Sequence, residues 1–339
     1  MNIKILKNTA AAILAPQKGI LAADESAPTC AKRFASAGVP CTEETRREYR
    51  ELLLTTPDIE KYLSGVILFD ETIRQKTKDG LPFPEALIKK GIIPGIKVDA
   101  GAKELALHPG EKVTEGLDGL RERLAEYKAL GARFAKWRAV ITIGPNIPSQ
   151  ACISTNAHAL ARYSALCQEA DIVPIVEPEV LIDGDHTIEQ SYEASQAILK
   201  NLFRELADQN VALEGTILKA SMVISGKESK KQASREEVAQ ATIKCLKENL
   251  PKNLAGVVFL SGGQSDEQAT EHLNLINKIG KVPWRLTFSY ARAIQNPVLK
   301  LWAAKKIELA KQVYLFRAKA NALASAGIYD PSSEKNRPY

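Results

Sequence analysis

Residues 134–141 read Phe134-Ala135-Lys136-Trp137-Arg138-Ala139-Val140-Ile141. The stretch has the length and apolar weight of a buried strand, yet it carries two cations two residues apart. A parallel strand buried on both faces should read as an unbroken apolar run. Strand side chains alternate between faces, so Lys136 and Arg138 share one face while Ala135, Trp137 and Ala139 take the other. The same device recurs twice. Lys97-Val98-Asp99 closes the run Ile92–Val98, and Glu177-Pro178-Glu179 follows Ile172–Val176. In each pair the charges share a face and the neighbouring apolar residues face the other way. An apolar face is expected to pack on helices. The charged face is then left to point into the interior of a closed sheet.

Outward from these segments the pattern repeats. Short apolar runs at Gly19–Ala23, Gly65–Phe69, Ile92–Val98, Phe134–Ile141, Ile172–Val176, Gly215–Val223, Gly256–Leu260 and Arg285–Ser289 make eight. Longer segments of helical period lie between them, including Leu117–Leu130, Ala157–Cys167, Tyr192–Leu206 and Arg235–Leu250. Strands alternating with helices imply βαβ units and a parallel sheet. Eight such units predict an α/β protein with a single closed (β/α)8 barrel. A doubly wound nucleotide fold would place GxGxxG after its first strand, and here Asp24-Glu25-Ser26 stands there. We expect an N-terminal helix from the spacing of Ile3, Leu6, Ala10 and Leu14, and one catalytic domain over residues 1–320.

Bulk properties narrow the function classes. The 339 residues are 45% hydrophobic and 25% charged, ordinary globular values. Net charge is +6, from 46 basic and 40 acidic residues. No concentrated basic run with interleaved aromatics supports nucleic-acid binding, whereas a mild positive field suits a small anionic substrate. Five irregularly spaced cysteines and no CxxC predict a reducing compartment without disulfides. No signal peptide and no long apolar span is visible, so a cytoplasmic protein without a membrane partner is expected.

The chemistry is expected where barrel strands end, at the C-terminal mouth. Asp24, Asp99, Glu177 and Glu179 balance Lys97, Lys136, Arg138 and Lys219 there, four of each sign. Unpaired buried charges cost several kcal/mol each, so a balanced cluster is what an interior tolerates, and charge on five strands together needs a functional reason. Lys219 follows Thr216-Ile217-Leu218 on the sixth run. A lysine attacks a carbonyl only when neutral; apolar neighbours and a second cation, Lys136, favour that form. The resulting imine serves as an electron sink for C–C cleavage. Glu177 can protonate the carbinolamine hydroxyl, and Asp24 can take the proton from the hydroxyl beside the breaking bond. Ser261-Gly262-Gly263-Gln264-Ser265 follows strand seven and opens a helix, a place suited to phosphate. Ser289-Tyr290-Ala291-Arg292 ends strand eight with a hydroxyl and a guanidinium.

In order along nearly the whole chain, KGILAADES, GVILFDET, GIKVD, LDGL, FAKWR, ARYSALCQ, IVPIVEPE, DGDH, EGTILK, GVVFLSGGQS and LTFSYAR, with a terminal tyrosine, resemble class I fructose-1,6-bisphosphate aldolases. The resemblance implies a (β/α)8 enzyme, free of metal and cofactor and usually homotetrameric. Such an enzyme cleaves fructose 1,6-bisphosphate reversibly to dihydroxyacetone phosphate and glyceraldehyde 3-phosphate. It puts the imine on Lys219, the acid/base carboxylate on Glu177 with Glu179 beside it, the first-strand aspartate on Asp24 and the assisting lysine on Lys136. It makes Ser26, Lys97, Arg138, Ser261, Gly262, Ser289 and Arg292 phosphate ligands. Thr29 and Arg33 fall at the open end of the substrate site. It also implies a mobile tail, residues 321–339, that brings Tyr339 to the mouth for proton exchange on the enamine. Two departures stand out: Ala220-Ser221 where the family often has Pro-Asn, and Ala291 where glycine is common.

Other readings are another imine-forming or transaldolase-like enzyme on a different sugar phosphate, and a non-catalytic barrel scaffold. A metal-dependent aldolase would need histidine ligands, and His108, His158, His186 and His272 form no ligand pair in the sequence.

Overall fold

The computed structural model describes residues 1–338. Eight parallel strands close into a barrel: Gly19–Ala23, Leu63–Leu68, Ile93–Lys97, Phe134–Ile141, Val173–Val180, Ile217–Ala220, Gly256–Phe259 and Arg285–Tyr290. We number them one to eight in that order. Each pairs with its sequence neighbours, and the first closes on the eighth through Ile20–Ser289 and Leu21–Tyr290. The expected runs are recovered with shifted ends. Strand five extends through the charged pair to Val180, because Glu177 and Glu179 face inward and leave the ladder to strand four intact. Strand six is shorter than its apolar run. Its first residue, Gly215, ends a 3₁₀ turn, Leu213–Gly215, and lies so close to Leu6 that a Cβ would crowd it.

Inward-facing residues share one parity along each strand. Ile20, Ala22, Ile67, Phe134, Val173, Ile175, Ile217 and Val258 form an inner cluster. Lys136 and Arg138 continue the parity of Phe134, Glu177 and Glu179 that of Val173 and Ile175, and Lys219 that of Ile217. The opposite parity, including Trp137, Val176, Leu218 and Phe259, packs into the outer core beneath the helices. The lower barrel is therefore dry and the upper barrel charged.

The N-terminal helix, Ile3–Ile13, plugs the bottom. Asn2 caps it, and Leu6, Ala10, Ile13 and Leu14 are buried in the inner cluster. Ile3, expected on that face, is exposed. The four helices expected from period appear as Leu120–Ala129, Gln150–Glu169, Ile188–Asp208 and Arg235–Asn249. Thr187 and Ser234 start the last two with capping boxes. A two-stranded antiparallel ribbon, Gly101–Glu104 with Lys112–Glu115, interrupts the connection after strand three and was not visible as a sequence pattern.

The tail boundary expected at residue 321 falls inside a helix. Ile307–Ala324 is continuous, and buried Asn321 accepts a hydrogen bond from Thr270 at 2.8 Å. A 3₁₀ segment, Pro331–Asn336, follows. All five cysteines are free thiols. Among the described residues no helix is long and apolar enough to cross a membrane.

Phe134 fills the inner layer so closely that a Cβ on Gly95, on the adjacent strand three, would overlap its ring. Overpacking a filled core costs about 1–3 kcal/mol. We expect Gly95→Ala to lower Tm while leaving the far-UV circular dichroism unchanged. An unshifted Tm would mean that the ring has space the packing denies.

Candidate active site

The C-terminal mouth holds a cavity of about 200 Å³. Asp24, Lys97, Lys136, Arg138, Glu177, Glu179 and Lys219 line it, together with Ser26, Thr29, Ser261, Gly262, Ser289 and Arg292. These residues come from the first, third to sixth, seventh and eighth strands or the loops after them. Thirteen of the fifteen residues to which the resemblance gave a role thus share one lining. Arg33 is not in the lining; its guanidinium pairs with Glu25, which is, and with Gln295. Tyr339 lies outside the described residues.

At the centre is a chain of buried charges. Lys136 Nζ sits 2.6 Å from Asp24 Oδ2 and 3.1 Å from Glu177 Oε2. Glu177 Oε1 is 3.0 Å from Lys219 Nζ. All four side chains are at most about a tenth exposed. The expected second cation is therefore not alone beside Lys219, because one carboxylate touches both amines. Beside this chain Arg138 pairs with Glu179. Lys97 pairs with Asp99 at 3.3 Å. Asp99, charged and on the expected face, does not line the cavity. It accepts from the backbone N–H groups of Gly101 and Arg138 and so ties strand three to strand four.

The charges move one another's proton affinities. Burial pushes the Asp24 carboxyl up, but the Lys136 and Lys219 ammonium groups outweigh burial and bring it down to about 2. Burial likewise raises Glu177, and Lys136, Lys219 and Arg138 together hold it below the ordinary glutamate range. Burial opposes charge on Lys136, and Asp24 and Glu177 overcome that, so it stays protonated. A carboxyl depressed in the fold contributes stability above its unfolded value and loses it as pH falls through the folded one. For Asp24 that window runs from its ordinary 3.8 down to about 2, corresponding to about 2 kcal/mol. We therefore expect the stability gap between the native chain and Asp24→Asn to shrink by about 2 kcal/mol between about pH 5 and pH 2. Urea titrations at each pH measure it, and a constant gap would contradict the pairing.

Three helices begin at the rim. Ser26 precedes Ala27–Ser36, Ser265 caps Asp266–Ile279, and Ala291 precedes Arg292–Ala303. Helix starts offer unpaired N–H groups and a positive dipole end to anions. Gly262 and Gly263 both take positive φ, 55° and 92°, which L side chains adopt only with strain. The turn keeps Ser261 and Gly262 against the cavity. Ser289 Oγ is buried and has no protein hydrogen-bond partner among the described residues, which leaves it available to an anion. The cavity can thus hold a doubly anionic group at its rim and a carbonyl against Lys219.

Sequence reasoning passed over Glu25. It lines the cavity and binds both Arg33 and Arg50, the latter at 2.9 Å. Its signal was faint, one carboxylate between Asp24 and Ser26, with partners distant along the chain. No histidine lines the cavity. His158 meets Glu205 at 2.9 Å and His272 meets Gln264 at 2.6 Å. Among the described residues no three His, Cys, Asp or Glu side chains cluster as metal ligands would.

Comparison with known proteins decides the family. The family model for fructose-bisphosphate aldolase class-I matches residues 5–338. The chain belongs to the class I fructose-bisphosphate aldolase family. It is 62% identical over 330 residues to a probable fructose-bisphosphate aldolase class 1 of Xanthomonas axonopodis pv. citri, covering 96% of this chain and 99% of that one. It is 52% identical over 320 residues to the cytoplasmic isozyme of fructose-bisphosphate aldolase from Spinacia oleracea, covering 94% and 89%. The barrel superposes with TM-score 0.95 on fructose-bisphosphate aldolase from Plasmodium falciparum, solved with TRAP and a small-molecule inhibitor. That match is 46% identical and covers 96% and 95% of the two chains. Aldolases of this family are carbon–carbon lyases, and both the barrel and the family expected from sequence are borne out.

Proposed function

We propose that this cavity cleaves fructose 1,6-bisphosphate reversibly to dihydroxyacetone phosphate and glyceraldehyde 3-phosphate through an imine on Lys219. The observation that carries the reading is the 3.0 Å contact between Lys219 Nζ and Glu177 Oε1 inside a lining rich in anion-binding groups. A proton passing along that contact gives a neutral amine and a protonated acid at once. The amine adds to the substrate ketone. Glu177 returns its proton to the carbinolamine hydroxyl, which leaves as water. Asp24, ionised at neutral pH, takes the proton from the hydroxyl beside the breaking bond. The bonding electrons enter the imine as an enamine, and the aldehyde departs. Lys136, between Asp24 and Glu177, balances the charge that moves between them.

Ser261, Gly262, Ser289 and Arg292 hold one phosphate at the starts of two helices. Ser26, Thr29, Lys97 and Arg138 stand on the other side of the mouth, with Arg33 available once Glu25 releases it. Borohydride reduction with fructose 1,6-bisphosphate, followed by peptide mapping, tests the assignment. The adduct is expected on Lys219, and trapping on another lysine would refute it.

Tyr339 protonates the enamine in this reading. Its removal is expected to slow proton exchange on dihydroxyacetone phosphate by about 10²-fold, as for loss of a general acid, and cleavage less. Equal slowing of both steps, measured by solvent isotope incorporation and by aldehyde release, would remove that role. A cytoplasmic location is supported by relatives named as the cytoplasmic isozyme in Spinacia oleracea and a cytosolic aldolase in Arabidopsis thaliana. A homotetramer without cofactor is supported by the family resemblance.

A further inference from the structure

One carboxylate in the cavity lining has no role in imine chemistry. Glu25 stands between Asp24 and Ser26, lines the mouth and is nearly buried. One of its oxygens accepts from Arg33, and the other lies 2.9 Å from the Arg50 guanidinium. Two cations thus share a single carboxylate, and they are not equivalent. The Arg50 side chain is 3% exposed and also donates to the Glu25 carbonyl at 3.2 Å, so it cannot leave without stranding a buried charge. The Arg33 side chain is 16% exposed. It follows Thr29 by one turn on the same face of the helix Ala27–Ser36, and Thr29 lines the cavity. The buried partners of Arg33 each keep another partner if its guanidinium moves. Glu25 keeps Arg50. Gln295, which accepts from Arg33 at 3.1 Å, also donates to the Ala22 carbonyl at 2.7 Å and accepts from Tyr49 at 3.3 Å. Moving Arg33 therefore leaves no buried group alone and turns the surplus positive charge towards the mouth. A phosphate offers a guanidinium the same paired oxygens as a carboxylate.

We propose that Glu25 is a positioning residue that sets the preference for a second substrate phosphate by competing with it for the Arg33 guanidinium. The inference rests on the reading that fructose 1,6-bisphosphate forms an imine on Lys219. With the ketone against Lys219, the phosphate on C1 takes the side of Ser289 and Arg292, and the phosphate on C6 reaches the side of Ser26 and Thr29. A sugar with both phosphates draws Arg33 away from Glu25. A sugar phosphorylated only on C1 leaves that pair closed. The strength of the Glu25–Arg33 pair therefore lowers the affinity for the C6 phosphate alone. Glu25 acts through Arg33 and not on the reacting atoms.

The experiment uses the full chain, the variants Glu25→Gln and Arg33→Met, and the two combined. Each is assayed with fructose 1,6-bisphosphate and with fructose 1-phosphate. The readout is KM for the monophosphate divided by KM for the bisphosphate, a ratio in which a general disturbance of the cavity cancels. Glu25→Gln is expected to raise this ratio by about tenfold, the scale of one hydrogen bond to a charged group, with KM for the bisphosphate moving more than kcat. Arg33→Met is expected to lower it. In the Arg33→Met chain, Glu25→Gln should leave the ratio where Arg33→Met put it, because no guanidinium is left to contest. A ratio unmoved by Glu25→Gln would overturn the competition, and a lower one would mean that Glu25 aims Arg33 at the phosphate instead. The same rise with and without Arg33 would mean that Glu25 repels the substrate directly, which also overturns it. If Glu25→Gln does not fold, Glu25→Asp decides: it keeps a charge against Arg50 but shortens the bridge by one methylene, and a rise in the ratio is again expected. Failure of the native chain to form a borohydride-trapped adduct on Lys219 with either sugar would remove the underlying reading, and the competition with it.

Discussion

Lys219→Met is expected to lower turnover by at least about 10⁴-fold while the barrel remains folded, because the reaction has no second amine placed to form the imine. Lys136 is the nearest candidate. It lies 2.6 Å from Asp24 and 3.1 Å from Glu177, so both its neighbours hold it as a charged, non-nucleophilic ammonium. Methionine matches the length of the lysine stem, and Ile217 and Val258 line the layer beneath. Glu177 keeps Lys136 as its partner, so no carboxylate is left alone in the interior. The fold should therefore tolerate the change, which thermal melting would show. Residual turnover within tenfold of the native chain would mean that the carbon–carbon bond breaks without this amine.

Glu177→Gln is expected to slow imine formation by about 10²-fold or more, the usual contribution of a general acid. The amide keeps the shape and can still accept from Lys219, but it cannot carry the proton that the hydroxyl needs. It also removes the anion between two ammonium groups, so Lys136 and Lys219 come to repel each other across it. The native carboxyl is held below the ordinary glutamate range by Lys136, Lys219 and Arg138, although burial pushes it up. Rapid-quench borohydride trapping separates this step from cleavage. An unchanged trapping rate, with turnover reduced, would move Glu177 from imine formation to a later step.

Most of this site was legible before any coordinate. A charge on a strand surrounded by apolar residues is rare, and its parity shows which face it shares. Lys136 with Arg138, and Glu177 with Glu179, were read from that alone. The Ser261–Ser265 turn was read from its place after the seventh run. The ribbon Gly101–Glu104 with Lys112–Glu115 was missed because its strands are short and bury only Thr114, so they leave no apolar period. Residue 321, where the tail was expected to begin, lies within the helix Ile307–Ala324, and Asn321 is buried there against Thr270, a partner far away in the chain. Arg33 pairs with Glu25, which lines the cavity, and with Gln295, and its long-range partner could not be read from the sequence.

The sequence alone determined the alternation of strand and helix, the number of units, and the inward face of each charge. Those follow from periods of two and of about three and a half residues, which are local properties of the chain. Only the tertiary structure decided which charge meets which. Asp24 faces Lys136, one Glu177 carboxylate spans two amines, and Glu334 reaches Arg317 because barrel closure and helix docking bring together residues far apart along the chain. Electrostatic energy depends on those separations in space, and no local pattern encodes them.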